Sequence, residues 1–102
     1  MLALNANTTA SNNTAVGYHA LKLNTTGTGN AAFGYAALDA NTTGNYNTAV
    51  GYDALSTVGT AHNNTAVGYR ALKTNIGHQN VAVGKDAMYS NTSAGSCVAV
   101  GY

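Results

Sequence analysis

The sequence predicts an all-β fold, a parallel β-solenoid (β-roll) of about six coils, and three observations predict it. A glycine recurs at Gly17, Gly34, Gly51, Gly68, Gly84 and Gly101, at separations of 17, 17, 17, 16 and 17 residues. Around each lies one phrase, most complete in Asn13-Thr14-Ala15-Val16-Gly17-Tyr18 and its copies Asn47 to Tyr52 and Asn64 to Tyr69. The period itself is the third observation. Seventeen residues is too short for a helical hairpin repeat of roughly 33–47 residues or a leucine-rich repeat of about 20–29. It suits two short strands, each followed by a turn.

Residues 1–102 read as a single repeat array, in units 1–17, 18–34, 35–51, 52–68, 69–84 and 85–101, with Tyr102 left over. Within a unit the Asn-x-Ala-Val-Gly-Tyr phrase is the better strand, since Val, Thr and Tyr favour the pleated state. The glycine marks a bend or a close backbone approach. The residue after Tyr varies freely (His19, Ala36, Asp53, Arg70, Asp86), as an outward-facing position does. Ala follows, then a large apolar residue: Leu21, Leu38, Leu55, Leu72 or Met88. A polar segment, clearest as Asn24-Thr25-Thr26-Gly27 and Asn41-Thr42-Thr43-Gly44, supplies the turn, since Asn and Gly tolerate left-handed backbone angles. Helix is the competing reading for Tyr-x-Ala-Leu, but that stretch is about one turn long and follows a glycine.

Stacked coils put each residue above its counterpart about 4.7–4.9 Å away, so identical residues form ladders. Asn13, Asn30, Asn47, Asn64 and Asn80 make one polar column, and Asn7, Asn24, Asn41, Asn75 and Asn91 a second that Val58 interrupts. Their amides are expected to hydrogen-bond along the axis, as in cross-β stacks. The column Val16, Phe33, Val50, Val67, Val83 and Val100, together with the Leu/Met column, is expected to be the apolar filling. The facing of the tyrosines is open. Strict alternation puts Tyr18 on the side of Val16 and Thr14, yet a bend at Gly17 could break that phase. A surface column would be a stacking platform and an internal one a core or trimer filler; a packing role is the expectation.

Composition agrees with a thin, regular core. Leu, Ile, Val and Phe together supply 17 of the 102 residues, whereas Asn, Thr, Ala and Gly supply 59. So short a chain buries only about 60–65% of its unfolded surface, so either its core is thin or several chains share one. Only 7% of residues are charged and the net charge is +1, which argues against nucleic-acid binding through phosphates. No apolar run approaches the roughly 20 residues of a membrane span, so this segment is not expected to insert in one.

The Asn-x-Ala-Val-Gly phrase, above all Val81-Ala82-Val83-Gly84 and Val98-Ala99-Val100-Gly101, resembles the Ser-Val-Ala-Ile-Gly motif of trimeric autotransporter adhesin heads of the YadA type. The Gly-Tyr-x-Ala-Leu-x-x-Asn-Thr-Thr-Gly extension is similar to repeats of phage tail fibres and chaperone-tailed fibre proteins. The resemblance covers essentially the whole chain through short motifs. It implies a left-handed parallel β-roll, a homotrimer, and a surface that binds host molecules. The 17-residue unit is longer than that of the adhesin heads, implying a larger loop per coil, and no heptad stalk or membrane anchor accompanies it. The array starts and stops in the same phase, at the position equivalent to Tyr18, without polar caps. It is therefore read as a piece of a longer fibre, with end-to-end stacking of subunits as the alternative.

No chemistry-bearing constellation emerges, and no enzyme, metal site or cofactor is expected. His19, His62 and His78 are read as sitting at unrelated repeat phases. Asp39, Asp53 and Asp86 are the only carboxylates; Asp53 and Asp86 share a phase two coils apart, with Arg70 between them, and read as solvated surface. The Gly-Gly-x-Gly-x-Asp signature of calcium-binding solenoids is absent. Gly27-Thr28-Gly29 is turn chemistry, since no Lys-Ser/Thr follows it. The single Cys97 occupies the Asn column and reads as a packed thiol. Six N-glycosylation patterns, starting at Asn7, Asn12, Asn24, Asn41, Asn63 and Asn91, are products of the turn ladder. The functional expectation is a structural and adhesive segment of a bacterial surface adhesin or phage tail fibre, extracellular, self-associating, and presenting a host receptor- or glycan-recognition surface or tip. The alternatives are a self-stacking filament subunit and an ice-binding β-solenoid. Against the latter, Thr25 and Thr26 would point to opposite faces, and the column Thr14, Ala31, Thr48, Thr65, Val81 is broken.

Overall fold

A computed structural model describes residues 3–92 and 95–102; the first position of the array, expected in phase with Tyr18, lies outside them. The described residues form a parallel β-solenoid with no helix. Strands β1 (Thr14–Val16), β2 (Ala31–Phe33), β3 (Thr48–Val50), β4 (Thr65–Val67), β6 (Val81–Val83) and β8 (Val98–Val100) make one sheet in that spatial order. The pairs β5 (Thr74–Asn75) and β7 (Ser90–Asn91) make a second, which a bridge from Thr57 to Thr74 extends. Six strands enclose five intervals, so the path makes about five turns where the sequence counts six units. The body is elongated, 34 × 22 × 18 Å.

Register is letter for letter. Val16 pairs with Phe33, Phe33 with Val50, Val50 with Val67, Val67 with Val83 and Val83 with Val100. The strands are only three residues long because the backbone ladder continues beyond them through non-extended residues. The Gly34 amide donates to the Val16 carbonyl at 2.8 Å, that of Ala36 to Tyr18 at 2.9 Å, and that of Leu21 to Ala37 at 3.0 Å. The 16-residue unit loses its residue in the turn after Asn75, so the sheet register is undisturbed.

The bends come from left-handed residues at fixed phases. Gly51 and Gly68 both have φ of 133°, and a Cβ on Gly51 would lie 2.5 Å from the Gly68 carbonyl oxygen. That contact is with backbone and cannot yield. The Leu/Met column is also left-handed, with φ between 47° for Met88 and 53° for Leu38. A β-branched side chain is far costlier there than an unbranched Cβ, so the column holds Leu and Met but never Val or Ile.

Inside the coil, Leu21, Leu38, Leu55 and Leu72 are completely buried, flanked by Ala20, Ala37, Ala54 and Ala71; Met88 packs partly buried against them. The strand contributes alanine. Ala32, Ala49, Ala66 and Ala82 are buried at the centre of their strands, and pleat alternation turns their neighbours outward. The expectation that the Val/Phe column fills the core is thereby corrected. Val16, Phe33, Val50, Val67, Val83 and Val100 are 37% to 77% exposed. A coil this narrow accommodates a methyl group from the strand opposite a leucine from the far wall, and nothing larger.

Two truncations separate these columns. Measured in the Val67→Lys background and at high dilution, where the chain is a monomer, Leu55→Ala is expected to cost about 2–5 kcal/mol, and Val50→Ala under about 1 kcal/mol, as an exposed position does. Leu55→Met should be milder than Leu55→Val, because of the left-handed backbone. Urea unfolding of the four variants measures this; equal losses at residues 50 and 55 would restore valine to the core.

Candidate functional site: side-chain ladders and an exposed sheet face

The buried polar columns are structural. In the first, each asparagine Oδ1 accepts from the backbone amide of the next coil's residue: Asn30 to Asn13 at 2.9 Å, Asn47 to Asn30 at 2.8 Å, Asn64 to Asn47 at 2.9 Å and Asn80 to Asn64 at 2.9 Å. The Cys97 amide continues it, donating to Asn80 Oδ1 at 3.0 Å. The opposite end of the Asn13, Asn30 and Asn47 amides holds a turn carbonyl of the next coil, as Asn30 Nδ2 holds Gly44 O and Asn47 Nδ2 holds Ala61 O, both at 2.8 Å, whereas Asn64 Nδ2 donates to Asn47 Oδ1 at 3.3 Å. Most of these rungs join side chain to backbone; the amide-to-amide contact that stacking suggests is made in this column between Asn64 and Asn47. The second column does run amide to amide. Asn24 donates to Asn7 at 2.9 Å, Asn41 to Asn24 at 2.8 Å and Asn91 to Asn75 at 2.7 Å, with Val58 buried in the gap. Asn24 and Asn41, which open two of the glycosylation patterns, are fully buried, whereas Asn12 and Asn63 are exposed.

A third ladder was not legible as a column of one letter. The Thr28 amide donates to Asn45 Oδ1 at 2.8 Å, the Asn45 amide to His62 Nδ1 at 2.9 Å, and the His62 amide to His78 Nδ1 at 2.8 Å. The two imidazoles stack with centroids 5.2 Å apart. His62 and His78 therefore share a phase, correcting the reading that the three histidines are unrelated. The one-residue shortening precedes His78 and displaces it from a strict count of 17. The signal available was an acceptor at each counterpart once that gap was allowed.

The tyrosines lie on the surface. Tyr18, Tyr35, Tyr52 and Tyr69 form one stack with centroid spacings of 5.6, 4.9 and 5.4 Å, and each is 43% to 48% exposed. This is the surface stack and not the core filling expected of them, because the glycine before each tyrosine, at φ of 125° to 133°, resets the strand alternation. His19 lies beside the stack, 4.0 Å from Tyr18 and 6.0 Å from Tyr35, and the Arg70 guanidinium lies 4.7 Å over Tyr69. At the next rung Lys85 replaces Tyr and lies 5.0 Å over Tyr102.

The variable column is half-buried apart from Ala36, which is buried. Arg70 makes a two-point contact with Asp86, at 2.9 and 3.2 Å, and Lys73 pairs with Asp53 at 3.2 Å. These hydrogen bonds hold both cations above their ordinary pKa. Asp53 and Asp86 are thus each engaged by a cation of a neighbouring coil. Asp39 keeps one buried oxygen without a hydrogen-bond partner. Among the described residues no three His, Cys, Asp or Glu side chains gather to hold a metal, no pocket is enclosed, and no helix is long and apolar enough to cross a membrane.

What is left is the sheet's outer face. Val16, Phe33, Val50, Val67, Val83 and Val100 form one column on it, with Thr14, Ala31, Thr48, Thr65, Val81 and Val98 beside them. No charged residue stands in either column. In comparisons with protein-family models, curated proteins and solved structures, nothing matches the chain.

Removing a rung exposes the ladder's worth. Asn47→Ala strands the Asn64 amide and the Ala61 carbonyl, at about 1–3 kcal/mol each, and a fall of about 2–5 kcal/mol in unfolding free energy is expected. A loss below 1 kcal/mol would mean water replaces the rung. The Lys73–Asp53 pair has a signed pH dependence. A raised lysine pKa in the fold stabilises below the unfolded pKa of about 10.4 and ceases to do so as pH rises through the folded value. The stability gap between the native chain and Lys73→Met should therefore hold below about pH 10.4 and narrow as the pH rises above it, and shrink with added salt; thermal unfolding on both sides of that pH checks it.

Proposed function

We propose that this chain is a structural and adhesive segment of an extracellular fibre, of the bacterial surface adhesin or phage tail-fibre kind, built as a homotrimer of left-handed β-rolls. The observation that carries this reading is the charge-free apolar sheet face. Six aligned Val and Phe side chains, at a rise of about 4.8 Å per coil, run along the body and remain 37% to 77% exposed in a single chain. Contiguous apolar strips of this kind mark association surfaces. Copies aligned along a common axis would set this column of one chain against those of its partners, sharing a core that alanine and asparagine cannot supply within one coil. The resemblance to YadA-type heads favours three copies over two.

On this reading the mechanism is mechanical. Continuous backbone ladders and polar rungs supply stiffness, the sheet face supplies association, and the turns at Asn12, Tyr46 and Asn63 remain outward for contact with a host receptor or glycan. The chain lacks the basic surface a nucleic-acid partner needs. An ice-binding reading has one feature in its favour, Thr48 and Thr65 set beside Val50 and Val67 on a regular sheet. Phe33, Ala31 and Val81 interrupt that array.

Sedimentation equilibrium at tens of micromolar should return about three times the 10.3 kDa chain mass. Val50→Lys with Val67→Lys should return the chain mass with an unchanged circular dichroism spectrum, because these side chains lie outside the coil. A native chain that remains monomeric would overturn the proposal, growth into open-ended particles would replace the trimer by a filament, and thermal hysteresis would favour ice binding.

A further inference from the structure

The third ladder passes through two imidazoles. His62 Nδ1 accepts the Asn45 amide at 2.9 Å and His78 Nδ1 accepts the His62 amide at 2.8 Å. Backbone N–H groups can only donate, so both rings must present an unprotonated Nδ1 and carry their single proton on Nε2. An imidazolium has no acceptor left. Protonating either ring therefore sets N–H against N–H and strands a backbone amide, and protonating both places two like charges on rings whose centroids are 5.2 Å apart. Asn45, one rung earlier, makes the same contact through Oδ1 to Thr28 and has no such liability.

Among the described residues no carboxylate faces the pair, in which His78 is exposed to solvent and His62 half-buried. The counterparts above and below the pair are Asn45 and Gly95, and the column on one side holds Gly44, Ala61 and Gly77. On the other side stand Tyr46, Asn63, Gln79 and Ser96, and beyond them Asn64, Asn80 and Cys97, whose thiol donates to the Gly95 carbonyl at 3.5 Å. Tyr46 and Cys97 are the other titratable side chains there, and no carboxylate is among them. Asp39, Asp53 and Asp86 stand at other phases, the last two engaged with Lys73 and Arg70.

We propose that the His62–His78 pair is an acid-operated latch. It closes the corner between the third and fifth coils when both rings are neutral, and protonation of the rings opens it locally. This property does not depend on the fibre reading.

Amide hydrogen exchange, corrected for intrinsic rates, tests it on the intact chain between pH 7.5 and 5. Protection of the Asn45 and His62 amides should fall by about tenfold per pH unit for each proton taken up, while the Asn47 and Asn64 amides, held by asparagine oxygens, stay protected. His62→Asn with His78→Asn substitutes the acceptor that Asn45 already uses and should flatten the profile. His19, outside this ladder, remains in both proteins as an internal control. Unchanged protection in the native chain at pH 5, or the same fall in the double variant, would overturn the proposal. If the double variant does not fold, imidazole 15N shifts of the native chain at pH 7.5 decide: Nε2-protonated rings at His62 and His78 support the latch, and Nδ1-protonated rings sink it.

Discussion

The structure depends on one constraint, that most of each coil's polar groups find their partners in the coil next to it, while short turn bonds such as Lys22 to His19 and Asn24 to Leu21 close the bends within a coil. A chain in which alanine and asparagine fill the interior has little apolar area to bury, and area sets the hydrophobic contribution. Order is instead secured by direction. Strand amides and every second bend amide bond along the axis, as Leu21 to Ala37 and Leu23 to Asp39, and where the backbone cannot reach, an asparagine spans the gap. Because a buried unpaired polar group costs more than a made one contributes, a slip of one residue would penalise several rungs at once. The 17-residue period thus persists through changes of letter, and the single 16-residue unit places its shortening in a turn, away from the strand rungs.

The same constraint explains why the coil is thin. Gly17 and its counterparts approach one another backbone to backbone, and left-handed residues at the positions of His19, Leu21 and Asn12 turn the path three further times per coil. Each such non-glycine residue carries a conformational cost. The cost is tolerated because the surroundings over-determine the angle: Leu55 is locked by burial and by its amide bond to Ala71 at 3.0 Å. Leucine in this setting contributes both the apolar mass and a backbone that β-branched residues would resist.

Much of this was legible in advance. Period, parallel stacking, the glycine column, the leucine column and both asparagine columns follow from repetition alone. What failed was the inference from apolar to inward. Val50 and Ala49 alternate on one strand, and hydrophobicity favours burying Val50; the width of the coil favours Ala49, and width is not written in any single unit. Tyr52 was ambiguous for a related reason, since a glycine at φ 133° resets the alternation that would place it. The histidine rungs were missed because the ladder requires an acceptor, which Asn45, His62 and His78 all provide, and not one kind of residue.

Charge shows how far stacking governs sequence. Of the charged side chains all but Lys85 fall in two columns, one holding Asp53, Arg70 and Asp86 and the other Lys22, Asp39 and Lys73. Neutral residues can repeat from coil to coil at will, as asparagine, valine and tyrosine do. Like charges about 5 Å apart repel, so a charged column must alternate in sign or be interrupted. The first does alternate, and Ser56 separates Asp39 from Lys73 in the second. At the next rung of the tyrosine column the lone Lys85 sits over Tyr102, whose π face accepts a cation. Confining charge to this edge leaves the valine face neutral along its whole length, and a neutral face is one that a second copy in the same register can approach without repulsion.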